Sequence, residues 1–208
     1  MYKVAIENVP LEEKIEEIKE KEGYTKISEL PQIYIEAIIS VEDHRFYKHS
    51  GIDLIAIGRA IINDIKAMEF VEGGSTITQQ IAKNEYFTQE KQLTRKVAEV
   101  FMAFELEKKY SKDEILEIYI NTIYFGNGYY NVKDACKGYF GKTIDKMTKG
   151  ECIMLAGIPN APSVYNPKEN LELAKQRQKQ VADKMVEYGY LTEKEEKEIL
   201  NNTKGSNW

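Results

Sequence analysis

The sequence predicts a mainly α-helical fold. Three observations carry that reading: helix-start signatures recur along the chain, apolar residues return at three- and four-residue spacings, and strict two-residue alternation closed by hairpin dipeptides is nearly absent. The chain has 208 residues, 42% of them apolar and 30% charged, the balance of a folded globular body that requires no second domain. No internal repeat or low-complexity linker interrupts it. The expected organisation is one compact helical unit over residues 29–200, preceded by a lead-in at 1–28 and followed by a tail at 201–208.

The elements follow in order. The segment MYKVAIENVPLEEKIEEIKEKEG, residues 1–23, is charged throughout and carries neither a signal-peptide core nor the roughly 20 apolar residues of a membrane span. Pro31 suits a first helical position, and Ile35, Ile38, Ile39 and Phe46 follow at the spacings of a packed helix and its exit, which delivers Glu42 at the C-terminal end. Asp53 caps a second helix, where Ile57, Ile61 and Ile65 lie four apart and Ile55 and Ile62 widen the stripe. That stripe reads as core packing or, from Ile61 to Val71, as a lipid-facing element that Met68 and Phe70 extend toward a glycine-rich loop.

Thr88 is expected to cap a long helix reaching about Lys109. The capping boxes Ser111–Glu114, Thr148–Glu151 and Thr192–Glu195 each start another. Asn166 and Pro167 open a last long helix that Gly189 closes. Phe125–Tyr130, FGNGYY, is a glycine-aromatic loop.

Charge and cysteine usage narrow the function. A formal net charge of −5 opposes a general nucleic-acid role, because phosphate backbones need a clustered basic surface. Cys136 and Cys152 are too few for a disulfide framework and read as buried free thiols.

Chemistry-bearing residues concentrate in a few segments. EDHRFYKHSG, Glu42–Gly51, packs two carboxylates, two histidines and two aromatics beside a helix end. A carboxylate near aromatic surface loses solvation and its pKa rises toward the range of a general base, which makes Glu42 a candidate base. Taken alone, the segment reads more readily as a solvated acidic helix end. GGSTITQQIAKN, Gly73–Asn84, begins with two glycines and sets hydroxyls and amides at a helix start, where anions are favoured. Ser75, Thr78, Gln79 and Gln80 can hydrogen-bond sugar hydroxyls or phosphate oxygens, and Lys83 adds a charge one turn beyond Gln79; a plain capped helix is the structural alternative.

Lys91, Arg95 and Glu99 stand at i, i+4 and i+8 on one helix face. On a solvated face such pairs contribute only about 0.2–0.5 kcal/mol each; lining a cleft, the two cations could hold a diphosphate. KDEILEIYIN, Lys112–Asn121, reads as a packing helix, and LAGIPNAPSVYNP, Leu155–Pro167, as a proline-punctuated turn.

In this order the segments resemble the family 51 glycosyltransferases, the polymerase domain of bifunctional penicillin-binding proteins and of monofunctional transglycosylases. The family's EDxxFxxHxG is met by EDHRFYKHSG, its GxSTxTQQ by GGSTITQQ, its RKxxE by RKVAE at Arg95–Glu99, and its ExYLN by EIYIN with Ile120 for leucine. Its LAGLPxAPSxYNP turn is met at Leu155–Pro167, with Arg177 on the helix beyond. The resemblance runs from about residue 29 to about residue 190. It departs at Gln178, where the family often has a second arginine, and at Asn131, where it often has a glycine; Asn131 is expected to be able to take a left-handed conformation.

The resemblance implies a lysozyme-like, two-lobed helical domain with a globular head, a small membrane-associated jaw near Ile61–Val71, and a cleft between them. It implies that 29–200 is a glycosyltransferase domain polymerising lipid II, with the growing lipid-linked glycan strand as donor and the membrane surface and other cell-wall synthesis proteins as partners. Glu42 would be the base and Glu99 the second essential carboxylate, either organising cations or acting with a divalent Mg or Mn ion. Lys83, Lys91 and Arg95 would hold the leaving diphosphate, while Arg59, Ser75, Gln79 and Gln80 would position substrates. Phe46 and His49 would shape the cleft wall. The implied place is the outer face of the bacterial cytoplasmic membrane, by an anchor outside this chain, with inhibition by donor mimics such as moenomycin. A glycan-cleaving enzyme on the same fold and a non-catalytic lipid II-binding protein are the alternatives.

Overall fold

The computed structural model describes residue 7 and residues 9–67, 74–87 and 92–203; for 61–67, 92 and 93 it describes the backbone alone. Among the described residues there are ten α-helices, joined by turns and short 3₁₀ segments, and no strand beyond an isolated bridge at Ser50 and Ile52. In chain order they are α1 (Leu11–Lys19), α2 (Gln32–Glu42), α3 (Leu54–Ala67), α4 (Ile77–Tyr86), α5 (Gln92–Lys109), α6 (Lys112–Ile120), α7 (Val132–Phe140), α8 (Lys149–Gly157), α9 (Leu171–Glu187) and α10 (Glu193–Thr203). The mainly α expectation holds.

The chain divides into two compact units, Met1–Lys19 with Arg45–Tyr119, and Glu20–His44 with Ile120–Trp208. No linker composition announces the division, because the chain passes from one unit to the other at helix ends and tight turns.

In the first unit α4 packs along α5, and Ile77, Ile81, Met102, Leu106, Ile115 and Phe46 are buried. The lead-in, read only as charged, contains α1. Leu11, Ile15 and Ile18 are buried at i, i+4 and i+7 while the intervening glutamates and lysines face water, so a charged composition concealed an amphipathic helix.

In the second unit α2 and α9 pack against α8. Every residue of α8 from Gly150 to Gly157 is buried. Gln178, where the family often has a second arginine, is buried: Nε2 donates to the Gly150 carbonyl at 2.7 Å, and Thr203 Oγ1 lies 3.5 Å from Oε1. A neutral amide suits a site closed to water better than a guanidinium.

The capping boxes form as read. Thr148 accepts from the Glu151 N–H and Glu151 reaches back to the Thr148 N–H at 2.7 Å; Ser111 with Glu114 and Thr192 with Glu195 repeat the pattern. Gly189, with φ +80°, follows α9 as expected. Thr88, Met68, Phe70 and Val71 lie outside the described residues, and nothing is described of the Ile61, Ile62 and Ile65 side chains.

Three boundaries need correction. Pro31 sits at the cap, one residue before the first helical position. Asn166 and Pro167 do not open α9: Asn166 Oδ1 and carbonyl O are taken by Lys168, Glu169 and Asn170 in a turn, so the helix begins only after Asn170. Asn131 is extended, at φ −148°, and caps α7 by accepting from the Asp134 N–H at 2.8 Å. The left-handed residues are Gly126, Asn127 and Gly128, φ +83°, +56° and +82°, because the loop turns tightly enough for the Phe125 N–H to reach the Tyr129 carbonyl at 2.8 Å. The sequence placed left-handed capacity on the right residue type but the wrong asparagine.

Asp53 caps α3 through the N–H groups of Ile55 and Ala56, at 2.9 and 3.1 Å, and accepts from Arg45 Nε at 2.9 Å. Burial pushes its pKa up, but the two backbone donors and the Arg45 guanidinium outweigh that and hold it below the ordinary value. A depressed carboxyl stabilises the fold above its unfolded pKa of about 3.9 and loses that contribution as pH falls through the folded value. Asp53→Ala is therefore expected to cost about 1–2 kcal/mol near neutrality, and urea unfolding at pH 7 and near pH 3 should show the gap to wild type narrowing in acid. Cys136 and Cys152 are buried free thiols as expected, pushed by burial to about 11 and about 12. At pH 8 the native protein should leave both unmodified by a thiol reagent, and denaturant should expose two reactive groups.

Candidate functional site

Each candidate residue lies within one or the other of the two units. In the second, α2 ends on Glu42, whose side chain is half-buried with Oε1 shut away from solvent. Asp43 breaks the helix with φ −163° while its N–H still reaches the Ile39 carbonyl at 3.1 Å. The next residue, His44, stacks on Tyr188 beyond α9, with centroids 4.5 Å apart and planes 15° from parallel. The end of α2 is thus pinned on both sides of Glu42: packed against α8 and α9 before it, and ring-stacked after it. A carboxylate so placed is oriented rather than free to sweep through solvent.

The first unit continues the same segment. Phe46 is fully buried, with His49 edge-on at 6.2 Å. Gly51, φ +83°, is required: a Cβ there would stand 3.2 Å from the Ala103 backbone. Its carbonyl accepts from Thr76 Oγ1 at 2.6 Å, which ties the close of this segment to the start of α4.

Thr76 is the cap of α4. Its side chain accepts from the Gln79 N–H at 3.1 Å, and Gln79 Oε1 accepts from the Thr76 N–H at 3.1 Å. Gln79 and Thr78 are both buried, so Gln79 serves the helix start, and Thr78, whose hydroxyl donates to Glu107, serves the core. Gln80 is half-buried, 3.5 Å from the Tyr119 hydroxyl; Lys83 is exposed one turn on, and Arg59 is exposed on α3. Gly73 lies outside the described residues.

A buried carboxylate flanked by two cations lies on α5. Glu99 has only 3% of its side chain exposed; Oε1 lies 3.1 Å from Arg95 Nε and Oε2 lies 3.2 Å from Lys96 Nζ. Lys96 Nζ also donates to Ser75 Oγ at 2.7 Å. A carboxylate this buried requires countercharge, and α5 supplies two cations at i−4 and i−3, although Arg95 Nε is itself buried and makes no hydrogen bond. Two cations are thereby held together beside the polar start of α4. Lys91, expected on the same face, lies outside the described residues.

Lys96 was quoted within RKVAE but given no role by sequence reasoning. Its i, i+3 spacing to Glu99 was the available signal; its reach to Ser75, 21 residues away, was not visible. Arg177 donates to the Gly157 carbonyl at 3.3 Å and lies 5.6 Å over the Tyr165 ring, so it braces the Leu155–Pro167 turn.

Comparison with known proteins agrees with the motif pattern. Residues 11–186 match the family described as Transglycosylase. The chain is 42% identical over 183 residues to penicillin-binding protein 1A of Neisseria gonorrhoeae, 88% of this chain and 23% of that protein. It is 44% identical over 169 residues to a Cupriavidus necator protein whose name assigns it provisionally to the transglycosylases, 81% of this chain and 73% of that one. The crystal structure of penicillin-binding protein 1A from Haemophilus influenzae superposes with a TM-score of 0.51 at 22% identity, covering 85% of this chain and 17% of that one; at that identity the likeness is one of fold. The chain spans about a quarter of the length of the penicillin-binding proteins it matches.

The α5 cluster makes a graded prediction. Lys96 is 46% exposed, so Lys96→Met should cost less than about 1 kcal/mol. Glu99→Ala removes a buried acceptor shared by two cations and should cost more, about 1–3 kcal/mol. Urea denaturation of both variants measures the order, and a reversed order would show that Glu99 does not organise the cluster.

Proposed function

The chain belongs to the transglycosylase family, and from that membership we propose that it is a peptidoglycan glycosyltransferase polymerising lipid II. Glu42 takes the proton from the 4-hydroxyl of the acceptor N-acetylglucosamine as that oxygen attacks C1 of the donor N-acetylmuramic acid. The C1–O bond to the lipid diphosphate breaks, the anomeric centre inverts, and the diphosphate departs with the bonding electrons. Attack needs a base of fixed direction, which the pinned end of α2 supports.

The departing group is already an anion and needs countercharge more than a proton. Lys83, Lys91 and Arg95 are assigned to it, and the geometry adds Lys96. Glu99 organises Arg95 and Lys96 so that the site is preformed before the charge develops. Ser75, held by Lys96, Gln80 and Arg59 position substrate, and Gln79 acts through the helix start that it caps. The observation that carries this reading is the buried Glu99 gripping two cations beside the α4 start, since a glycan hydrolase has no diphosphate to hold.

For the expected Mg or Mn ion the described side chains offer no cluster of three or more His, Cys, Asp or Glu ligands, and both oxygens of Glu99 already face cations. A divalent ion is therefore assigned to the substrate diphosphate, whose oxygens are suitable ligands, and no step is routed through it.

Among the described residues no helix is long and apolar enough to cross a membrane. Attachment to the outer face of the cytoplasmic membrane is proposed for the first unit. Leu54 and Ile55 at the start of α3 are exposed, and so are Val97, Phe101 and Phe104, which share one face of α5 at i, i+4 and i+7. Other cell-wall synthesis proteins are the proposed partners.

Incubation with lipid II should yield glycan polymer, with moenomycin blocking it, while preformed glycan strands should remain uncut. Glu42→Gln should abolish polymer, a loss of at least about 100-fold, with an unchanged circular dichroism spectrum. Normal polymer from this variant would remove Glu42 as the base, and shortened strands from wild type would favour cleavage over synthesis.

A further inference from the structure

One carboxylate oxygen in the first unit joins three pieces of chain. Thr78 is wholly buried and its hydroxyl donates to Glu107 Oε1 at 2.7 Å. The same oxygen accepts from Lys112 Nζ at 2.6 Å, and Lys112 Nζ lies 4.4 Å from the centroid of the buried Phe46 ring. Glu107 has 7% of its side chain exposed and Lys112 19%. The pieces joined are α4, on which Gln79, Gln80 and Lys83 follow Thr78; the first residue of α6; and the turn Phe46–Lys48 within EDHRFYKHSG. The Tyr47 hydroxyl, donating to Asp113 Oδ1 at 2.8 Å, runs beside this connection.

Stability alone does not call for charge here. A nearly buried ion pair is often no better than apolar residues of equal volume, and α4 and α5 already share an apolar core. What the pair adds is direction. The carboxylate must lie where it meets both a hydroxyl and an ammonium, and the ammonium is drawn to the face of the ring. A shift of α4, of α6 or of the Phe46 turn is therefore opposed by the other two.

We propose that Glu107 and Lys112 are positioning residues for polymerisation. They fix the spacing between the turn carrying Phe46 and His49 and the start of α4, which presents Gln80 and Lys83, and they act on turnover through those elements without touching substrate. The inference rests on the glycosyltransferase reading given above. A misplacement of about 1 Å at a reacting centre can cost up to about 100-fold in rate, so the effect belongs in kcat more than in KM.

The test uses the full chain and lipid II, with kcat and KM measured well below the melting temperature of each variant. Glu107→Gln and Lys112→Met should each lose about 10- to 100-fold in kcat with KM little changed. Lys112→Arg keeps a cation over the ring and should recover most of the rate. The double variant Glu107→Gln/Lys112→Met leaves no unpaired buried charge, so it provides a folded comparison even where a single variant fails; its kcat should stay below that of Lys112→Arg and its loss below the product of the single losses. Equal kcat in the double variant, Lys112→Arg and wild type overturns the proposal, as do losses that follow melting temperature alone. A wild-type chain that makes no polymer removes the glycosyltransferase reading and this inference together, whereas active wild type with unaffected variants removes only the inference.

Discussion

A carboxylate taken out of water must be met by countercharge, and Glu99 sets that demand at the middle of α5. Its two oxygens draw Arg95 and Lys96 from the preceding turn, and Lys96 extends the influence to Ser75 before α4 begins. Side chains that would otherwise spread into solvent are thereby held close together. The arrangement stores little free energy, because both cations remain partly hydrated. Its value lies in leaving less reorganisation for the moment when an anion arrives or develops.

The same logic of small polar obligations runs through the rest of the fold. Thr76 and Gln79 satisfy the first amides of α4, and the spare hydroxyl proton of Thr76 goes to Gly51. Asp53 does the equivalent for α3 while taking Arg45. Each cap has a second partner outside its own helix, so closing a helix end also fixes where the neighbouring segment lies. Segments far apart in sequence are brought together this way in the first unit, and in the second by the Gln178 contacts to Gly150 and Thr203.

Local chemistry was the most legible part of the sequence. Capping boxes need only a hydroxyl and a carboxylate three residues apart, and those at Ser111, Thr148 and Thr192 form as read. The Glu42 position at a helix end and the Arg95–Glu99 pairing were equally plain, because periodicity alone dictates them. The structure differed where one local preference outweighed another. Asn131 gave its side chain to a helix start rather than its backbone to a turn, and Asn166 stabilised a turn before α9 instead of the helix itself. Lys96 to Ser75 and Glu107 to Thr78 were out of reach, since nothing in a single sequence ties residues 21 or 29 positions apart. The α1 helix was hidden by its glutamates and lysines, although its three apolar residues hold the helical spacing.

The interleaving of the two units bears on how the chain is made. The first unit begins at the N-terminus, is interrupted by residues 20–44, and closes only with Tyr119. On the ribosome α1 therefore waits for the rest of its unit before Leu11, Ile15 and Ile18 are fully covered, and α2 waits longer still for α8 and α9. Domains that are contiguous can fold as they emerge; here most of the polypeptide must be synthesised before either core is complete. A shortened version cut at any point before α9 would consequently leave α2, and Glu42 with it, without the α9 packing and without the Tyr188 ring that His44 stacks on.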